Sequence, residues 1–332
     1  MSAATCIEET KLKAESRKQK SVNSRGAPCS FQLSQFQHSA FPAPCEFVFP
    51  ANDYDLSATL TSGQVFAWEN SGESWIGVVS GRWVKLILRS GNAVITAQTA
   101  TPQTEWSWLT NFLQCGLNLG EVLATFPTDP DMRAAIDSCR GLRLLRQDPW
   151  ECLAAFILSS SKQIVQIRQI VAALNTRFGS PVIVPAGERP VFAFPSAQRL
   201  ADATEAELRE CKMGFRAPYL LATARQIATG EFDLARLRQM SATDARAELL
   251  KLPGVGEKIA DCVLLFAYGF PTAFPIDVWV AKAIRKYYFR GRRVRPVRLR
   301  NYVTKRFGPN AGYAQQYLFH YIRTKDVKTL SP

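Results

Sequence analysis

The sequence predicts an α+β fold, in which an N-terminal antiparallel β-sheet domain is followed by a mainly α-helical domain containing a helix-hairpin-helix. Three observations point to it. The stretches Gln64–Trp68, Trp75–Val79 and Trp83–Leu88 are short, β-branched or aromatic, and punctuated by Ser-Gly and Gly-Asn turn signals, as antiparallel strands are. Beyond Asp148-Pro149, apolar residues recur at three- and four-residue spacing almost to the end of the chain. Within that helical half, Leu252-Pro253-Gly254-Val255-Gly256 joins two helical segments through a turn with two glycines.

Taken in order, residues 1 to about 45 are polar, rich in Ser, Lys and Gln, and without sustained period, so a disordered tail is expected. The sheet domain is expected over 46–148, with helices at Leu109–Leu123 and Met132–Leu144 leading out of it. The helical domain is expected over 149–325. Its segments before the hairpin are Trp150–Ser159, Ile164–Phe178, Ala206–Cys211, Ala217–Thr229 and Thr243–Leu250. After it come Glu257–Tyr268, Val278–Tyr287, Asn301–Phe307 and Ala311–Arg323, then a short tail at 326–332.

Length and composition, 332 residues with 47% hydrophobic and 21% charged, suit a globular protein of about two domains with a substantial core. No apolar run approaches ~18 residues, so neither a transmembrane helix nor a membrane partner is expected. The N-terminus lacks a secretory apolar region, and Glu8, Glu9 and Glu15 do not suit an acid-poor transit peptide. The eight cysteines form no CxxC pair and match neither zinc nor iron–sulfur spacing. No metal and no other cofactor is expected, and reduced thiols point to an intracellular protein. The formal charge of +13 is concentrated: no acidic residue stands between Asp277 and Asp326, while lysines and arginines run from Lys282 to Lys325. A solubilising surface is the plainer account; a polyanion partner fits the distribution better.

The hairpin carries the most chemistry. Glycine lets backbone amides approach a ligand closely and adopt positive φ. Amides at the start of the following helix have no intrahelical partner, and the helix dipole favours an anion there. Gly254, Val255 and Gly256 can thus grip one DNA backbone phosphate without reading sequence, although a plain helix connector would also use two glycines. Lys258 follows by two residues, and Asp277 lies nineteen further on, after Phe274-Pro275-Ile276. A buried carboxylate suits stabilisation of positive charge that develops in a water-poor pocket. On composition alone, an aspartate before a helix reads first as an ordinary N-cap. A lysine amine suits nucleophilic attack, and a lysine on a helix surface is the plainer alternative.

The whole arrangement resembles the helix-hairpin-helix DNA glycosylase superfamily and, within it, the 8-oxoguanine DNA glycosylases, from about Glu46 to Arg323. Supporting stretches are Ser62-Gly63-Gln64-Val65-Phe66 with Trp68, Glu151-Cys152-Leu153 to Phe156-Ile157-Leu158-Ser159-Ser160, Met213-Gly214-Phe215-Arg216-Ala217, and Gly312-Tyr313-Ala314-Gln315 to Phe319. The resemblance implies excision of oxidised guanine from double-stranded DNA by a monomer in a DNA-containing compartment, the nucleoid or cytoplasm of a bacterium or a eukaryotic nucleus. It implies that Lys258 attacks the anomeric carbon, expels the base, forms a Schiff base and breaks the strand by β-elimination, with Asp277 stabilising charge. It further implies that the Gly63 carbonyl accepts from the N–H that oxidation adds, that Gln315 reads the Watson–Crick edge, and that Cys262 and Phe319 pack on the flipped base. Phe215 takes the place of an aromatic wedge (a tyrosine would be expected), and Arg216 that of a contact to the opposite base. Ser161 and Gln166 stand where the animal and fungal branch carries an asparagine run and an arginine that read the estranged cytosine, so a weak opposite-base preference is expected. Trp279 replaces a phosphate-touching histidine, which looks like the bacterial branch. Two alternatives stay open: a hydrolytic glycosylase for alkylated or other oxidised purines, and a DNA-binding protein without chemistry.

Overall fold

Five strands pair throughout in antiparallel register. They are β1 (Cys45–Pro50), β2 (Glu69–Ser71), β3 (Ser74–Val79), β4 (Arg82–Arg89) and β5 (Val94–Thr99), in the spatial order β1-β5-β4-β3-β2. The longer ones largely alternate core-facing and outward-facing side chains, and the three-residue β2 is exposed throughout. The computed structural model describes residues 44–89, 94–160 and 162–328, with side chains only as far as 325 in the last helix. One sheet face, through Val84, Leu86, Ile95 and Ala97, packs on Leu109, Phe112 and Leu113 of the helix Ser107–Leu113. β1 and β5 were not expected from the sequence. The tail expected at 1–45 lies outside the described residues except for its end, which forms the first residue of β1.

Gln64–Trp68 is not a strand. Its backbone is held by a side chain instead of a ladder. Gln64 Nε2 donates to the carbonyls of Thr59 (2.9 Å) and Arg143 (2.8 Å), and its Oε1 accepts from Leu145 N (2.8 Å). The alternation of apolar residues here serves two cores instead of two sheet faces. Val65 and Trp68 enter the core under the sheet, while Phe66 enters the helical core edge-on to Phe156. The helix expected over Leu109–Leu123 is broken where Gln114 adopts φ 55°, giving Ser107–Leu113 and Leu119–Leu123. The one expected over Met132–Leu144 stops at Ser138. Residues Leu142–Leu145 then run extended, pinned by Tyr317, Thr59, Tyr313 and Gln64.

The helical half contains Pro149–Leu158, Ile164–Phe178, Glu205–Glu210, Ala217–Ala228 and Ala242–Leu249 before the hairpin. Glu257–Val263, Val278–Tyr288, Pro296–Arg306 and Ala311–Lys328 follow it. The last of these extends into the tail expected at 326–332. A two-stranded ribbon, β6 (Pro181–Val182) with β7 (Val191–Phe192), and a short helix Ala197–Ala201 fill a stretch without helical period. The helix expected through Tyr268 changes pitch at Val263, and Leu264–Tyr268 forms a π-turn, a device common at functional sites. That turn stacks Phe266 on Phe156 with ring centroids 5.5 Å apart.

His320, on the last helix, is buried and its Nδ1 has no hydrogen-bond partner among the described residues. Burial, reinforced by Arg323, lowers its pKa to about 4. The unfolded chain takes up this proton first, at about 6.5, so folding stability drains away as pH falls from there toward 4. The effect is on the order of 2–3 kcal/mol. Urea titrations at pH 7 and pH 4.5 should show this loss, and His320→Gln should reduce it; an identical loss in the variant would exclude His320 as its source.

Candidate active site

The hairpin sets the position of everything around it. Val255 is buried while Gly254 and Gly256 on either side of it are exposed, so the valine anchors the turn and leaves the backbone of its neighbours outward. Gly254 has φ +76°, and a Cβ there would lie 2.7 Å from Cβ of Tyr219. Gly256 caps the helix Glu257–Val263 from an extended conformation (φ −97°) with open space where a Cβ would be. Behind the hairpin, Asp261 is fully buried and pairs with Arg246 and with Arg300 Nη1 (3.2 Å), while Arg300 Nη2 also reaches Glu257 (2.6 Å).

In the first turn of that helix, Lys258 projects into a small cavity. Its Nζ donates to Ser159 Oγ (2.8 Å) and lies 5.0 Å from the centre of the Phe156 ring. The Ser159 hydroxyl donates in turn to the Phe156 carbonyl (2.7 Å), so it can only accept from the lysine. Asp277, Cys262, Gly63, Gln315 and Phe319 line the same cavity, together with Phe156 and Phe266. Six residues chosen from the sequence, spread from position 63 to 319, are thereby brought together.

Asp277 is the N-cap of Val278–Tyr288, with Oδ1 accepting from Val280 N (2.7 Å). Burial raises the pKa of its carboxyl above the usual aspartate value, opposed by the Val280 and Trp279 N–H groups, Lys258 and Arg323. Cys262 is buried, and its thiol is pushed up to about 12 by that burial despite nearby Lys258, so it stays neutral. Gln315 is also buried, and its Oε1 has no partner among the described residues. An acceptor left unsatisfied in a buried position costs roughly 1–3 kcal/mol, a cost that a ligand N–H would remove.

Gly63 has φ +79°. A Cβ there would lie 2.7 Å from Ile164 Cδ1 and 3.4 Å from the Phe319 ring, so any side chain would close the cavity. The carbonyls around it are each held by a side chain: Thr61 O by Arg323 Nη2 (2.9 Å), Ser62 O by Gln316 Nε2 (2.9 Å) and Gln64 O by Gln147 Nε2 (2.9 Å).

Other predicted positions lie outside the cavity. Phe215 is 58% exposed, whereas Arg216 is buried with its guanidinium 4.3 Å from the Phe215 ring. Trp279 is half-buried beside the exposed Val278, with Lys282 Nζ 5.4 Å from its ring. Ser161 lies outside the described residues. Sequence reasoning did not single out Gln316, Arg323 or the pairing of Ser159 with Lys258. Gln316 had one available signal, as an amide at a buried helical position beside Gln315.

Residues 46–153 match the family model of the 8-oxoguanine DNA glycosylase N-terminal domain, and residues 154–309 match that of HhH-GPD superfamily base excision DNA repair proteins. The chain is 35% identical over 217 residues to a probable N-glycosylase/DNA lyase of Methanothermobacter thermautotrophicus, covering 60% of this chain and 69% of the relative. It is 31% identical over 282 residues to the N-glycosylase/DNA lyase OGG1 of Arabidopsis thaliana, covering 80% and 76%. The chain belongs to the 8-oxoguanine DNA glycosylase family of the HhH-GPD superfamily. Its fold is similar to the Clostridium acetobutylicum 8-oxoguanine glycosylase/lyase in complex with double-stranded DNA containing cytosine opposite 8-oxoguanine. The TM-score is 0.79 at 29% identity, over 86% of this chain and 99% of the other. In this glycosylase the two hairpin glycines carry different burdens. Thermal or urea unfolding should find Gly254→Ala destabilised by about 1–3 kcal/mol through its positive φ and the Tyr219 clash. Gly256→Ala should stay within about 0.5 kcal/mol of the parent; equal losses would refute this division.

Proposed function

We propose that this protein is a bifunctional DNA glycosylase and abasic-site lyase that excises 8-oxoguanine from duplex DNA. One observation carries the reading: Lys258, Asp277, Gly63, Gln315 and Phe319 converge on a cavity that also contains an unsatisfied buried amide oxygen. The target nucleotide is flipped out of the stack. The free cavity holds about 40 Å³, room for a few waters and less than a purine, so its walls part as the base enters. Gln315 Oε1 accepts from the Watson–Crick edge, Phe319 covers the ring, and the Gly63 carbonyl accepts from the N–H present only in the oxidised base. Normal guanine would set two acceptors against each other there.

Lys258 Nζ then attacks C1′. The bond from C1′ to the base breaks, with its electron pair leaving on the base, while the Asp277 carboxylate faces the charge developing on the sugar. The amine adduct opens to a Schiff base, a proton leaves C2′, and β-elimination breaks the bond to the 3′ oxygen. Ser159 keeps the amine pointed at the cavity by accepting from it. The exposed backbone at Gly254 and Gly256 suits a grip on one phosphate, the Val255 side chain serving only as its anchor. Phe215 is the exposed wedge that fills the gap left in the duplex, and Trp279 meets the backbone. Arg216, buried against the Phe215 ring, is the contact to the opposite base in this reading. Gln166 is committed locally, its Oε1 accepting from Gln163 N (3.1 Å), which supports weak discrimination of that base. The enzyme works as a monomer in a DNA-containing compartment; among the described residues no helix is long and apolar enough to cross a membrane.

Borohydride should trap a covalent adduct on 8-oxoguanine duplexes with the parent chain and none with Lys258→Gln. Excision without trapping would make the enzyme hydrolytic, and binding without product would make it a non-catalytic DNA binder. The upward shift of Asp277 places the acid limb of the rate profile above the ordinary aspartate value, because protonating that carboxylate removes the charge it offers. An acid limb at or below the ordinary aspartate value would contradict that role. Single-turnover rates opposite the four bases should fall within about tenfold, ~1.4 kcal/mol in barrier, and a much wider spread would reject the weak preference.

A further inference from the structure

A donor without an acceptor stands beside Gly63. Arg323 holds the lesion-reading loop with one arm of its fork, Nη2 donating to the Thr61 carbonyl (2.9 Å). The other arm, Nη1, is buried and has no hydrogen-bond partner among the described residues. It lies 3.3 Å from the point that a Gly63 Cβ would occupy, and the Phe319 ring (3.4 Å) and the Ile164 Cδ1 methyl (2.7 Å) meet at the same point. The guanidinium carbon is 5.4 Å from the centre of the Phe319 ring. Arg323 thus sits at the rim between Gly63 and Phe319, just outside the free volume, where the walls part for a purine to enter.

Such a donor is held in place and costly to leave unmet. Thr61 stands two residues before Gly63, so swinging the fork out to water would release the loop that it tethers. Arg168 and Asp277 are the charged groups that act on this guanidinium, and neither supplies an acceptor to Nη1. The neighbouring amide donor on the same helix, Gln316 Nε2, is already spent on the Ser62 carbonyl (2.9 Å). Whatever enters beside Gly63 therefore meets one backbone carbonyl and one unspent, positively charged N–H.

What the fork lacks, the oxidised base has. Oxidation at C8 of guanine gives N7 a hydrogen and places a carbonyl oxygen, O8, on the adjacent ring atom. The resulting edge is that of a cyclic amide, a donor and an acceptor side by side. In the reaction proposed above, on which this inference rests, the Gly63 carbonyl takes the donor. We propose that Arg323 Nη1 takes the acceptor, donating a charge-assisted hydrogen bond to O8, so that Gly63 and Arg323 together read both atoms that oxidation changes. Ordinary guanine presents an acceptor nitrogen where Gly63 needs a donor and a C–H where Arg323 needs an acceptor, so both buried groups stay unpaired. 8-Oxoadenine has the same edge, which leaves Gln315 to separate the two lesions at the Watson–Crick side.

The test replaces O8 by sulfur. 8-Thioguanine keeps the N7 hydrogen and the shape of the edge, but sulfur is a weak acceptor. Values of kcat/KM on duplexes carrying either lesion are compared between the parent chain and Arg323→Met, which keeps an apolar stem and removes the donors. Loss of the Thr61 bond slows both lesions alike, and the difference between the two leaving groups is common to both proteins. Only a contact to the atom on C8 changes the ratio. The preference for 8-oxoguanine over 8-thioguanine should fall at least about tenfold in the variant, and likewise in the shorter, uncharged Arg323→Gln if the methionine variant fails to fold. A second readout leaves Arg323 intact: the C8=O stretch, isolated by heavy-oxygen labelling of O8, should move down when the labelled duplex binds Lys258→Gln, in which the proposed nucleophile is gone. A ratio unchanged within about twofold, or a stretch that does not move down, would overturn the contact and leave the glycosylase reading standing. A parent chain inactive on 8-oxoguanine would overturn that reading and the contact with it.

Discussion

Three side chains from distant parts of the chain hold one tight loop, and the cavity exists because they do. Arg323 and Gln316 come from the last helix and Gln147 from the junction between the two halves; each takes a carbonyl of the segment Thr61–Gln64. Gln64 completes the set by returning its own amide to Thr59, Arg143 and Leu145. Buried backbone carbonyls need partners, and here side chains supply them where a β-ladder would have supplied them in a sheet. The loop is therefore free to present Gly63 at positive φ, against the face of Phe319, without a neighbouring strand in the way. The sheet domain and the helical domain meet in these bonds, so the cavity belongs to neither half alone.

The ionisable groups beside this loop are kept in different states by similar degrees of enclosure. Cys262 is held neutral by burial, so it offers an uncharged surface beside the lysine instead of competing as a nucleophile. Asp277 is enclosed too, but two backbone N–H groups, Lys258 and Arg323 all favour its charge and restrain the upward shift. Asp261, further back, is enclosed completely and answered by two arginines, one from before the hairpin and one from the basic run. That run is consequently not a single DNA-facing surface. Arg300 and Arg306 are paired with Asp261, Glu257 and Asp129, while Arg292, Arg293, Arg295 and Arg298 are exposed.

Much of the helical half was legible because helices with apolar stripes announce themselves by period. Ile164–Phe178 has the bounds that its spacing predicts, and Ala217–Ala228 and Ala242–Leu249 differ by a residue at their ends. What was illegible shares a cause. Gln64–Trp68 alternates as a strand does, yet its alternation is resolved between two cores, and only a long-range side-chain bond distinguishes the two outcomes. Leu109–Leu123 carries helical period across Gln114, whose left-handed backbone no local pattern marks. At the site, the residues that supply the chemistry could be proposed from motif and resemblance. Those that position them, Gln316, Arg323 and the Ser159 hydroxyl, act through contacts across up to 262 positions of sequence, which no local pattern records.

The buried Val255 has a consequence for how such an enzyme meets an unspecified stretch of duplex. With the valine locked in the core, the turn cannot slide along its own axis, and Lys258 begins only two residues beyond Gly256, a rise of about 3 Å along the helix. In the proposed reaction, the point that grips the backbone and the atom that attacks are thus marks on one rigid ruler. On that reading, wherever the ruler is laid down the same nucleotide is offered to the same amine, with no dependence on the letters between the two marks.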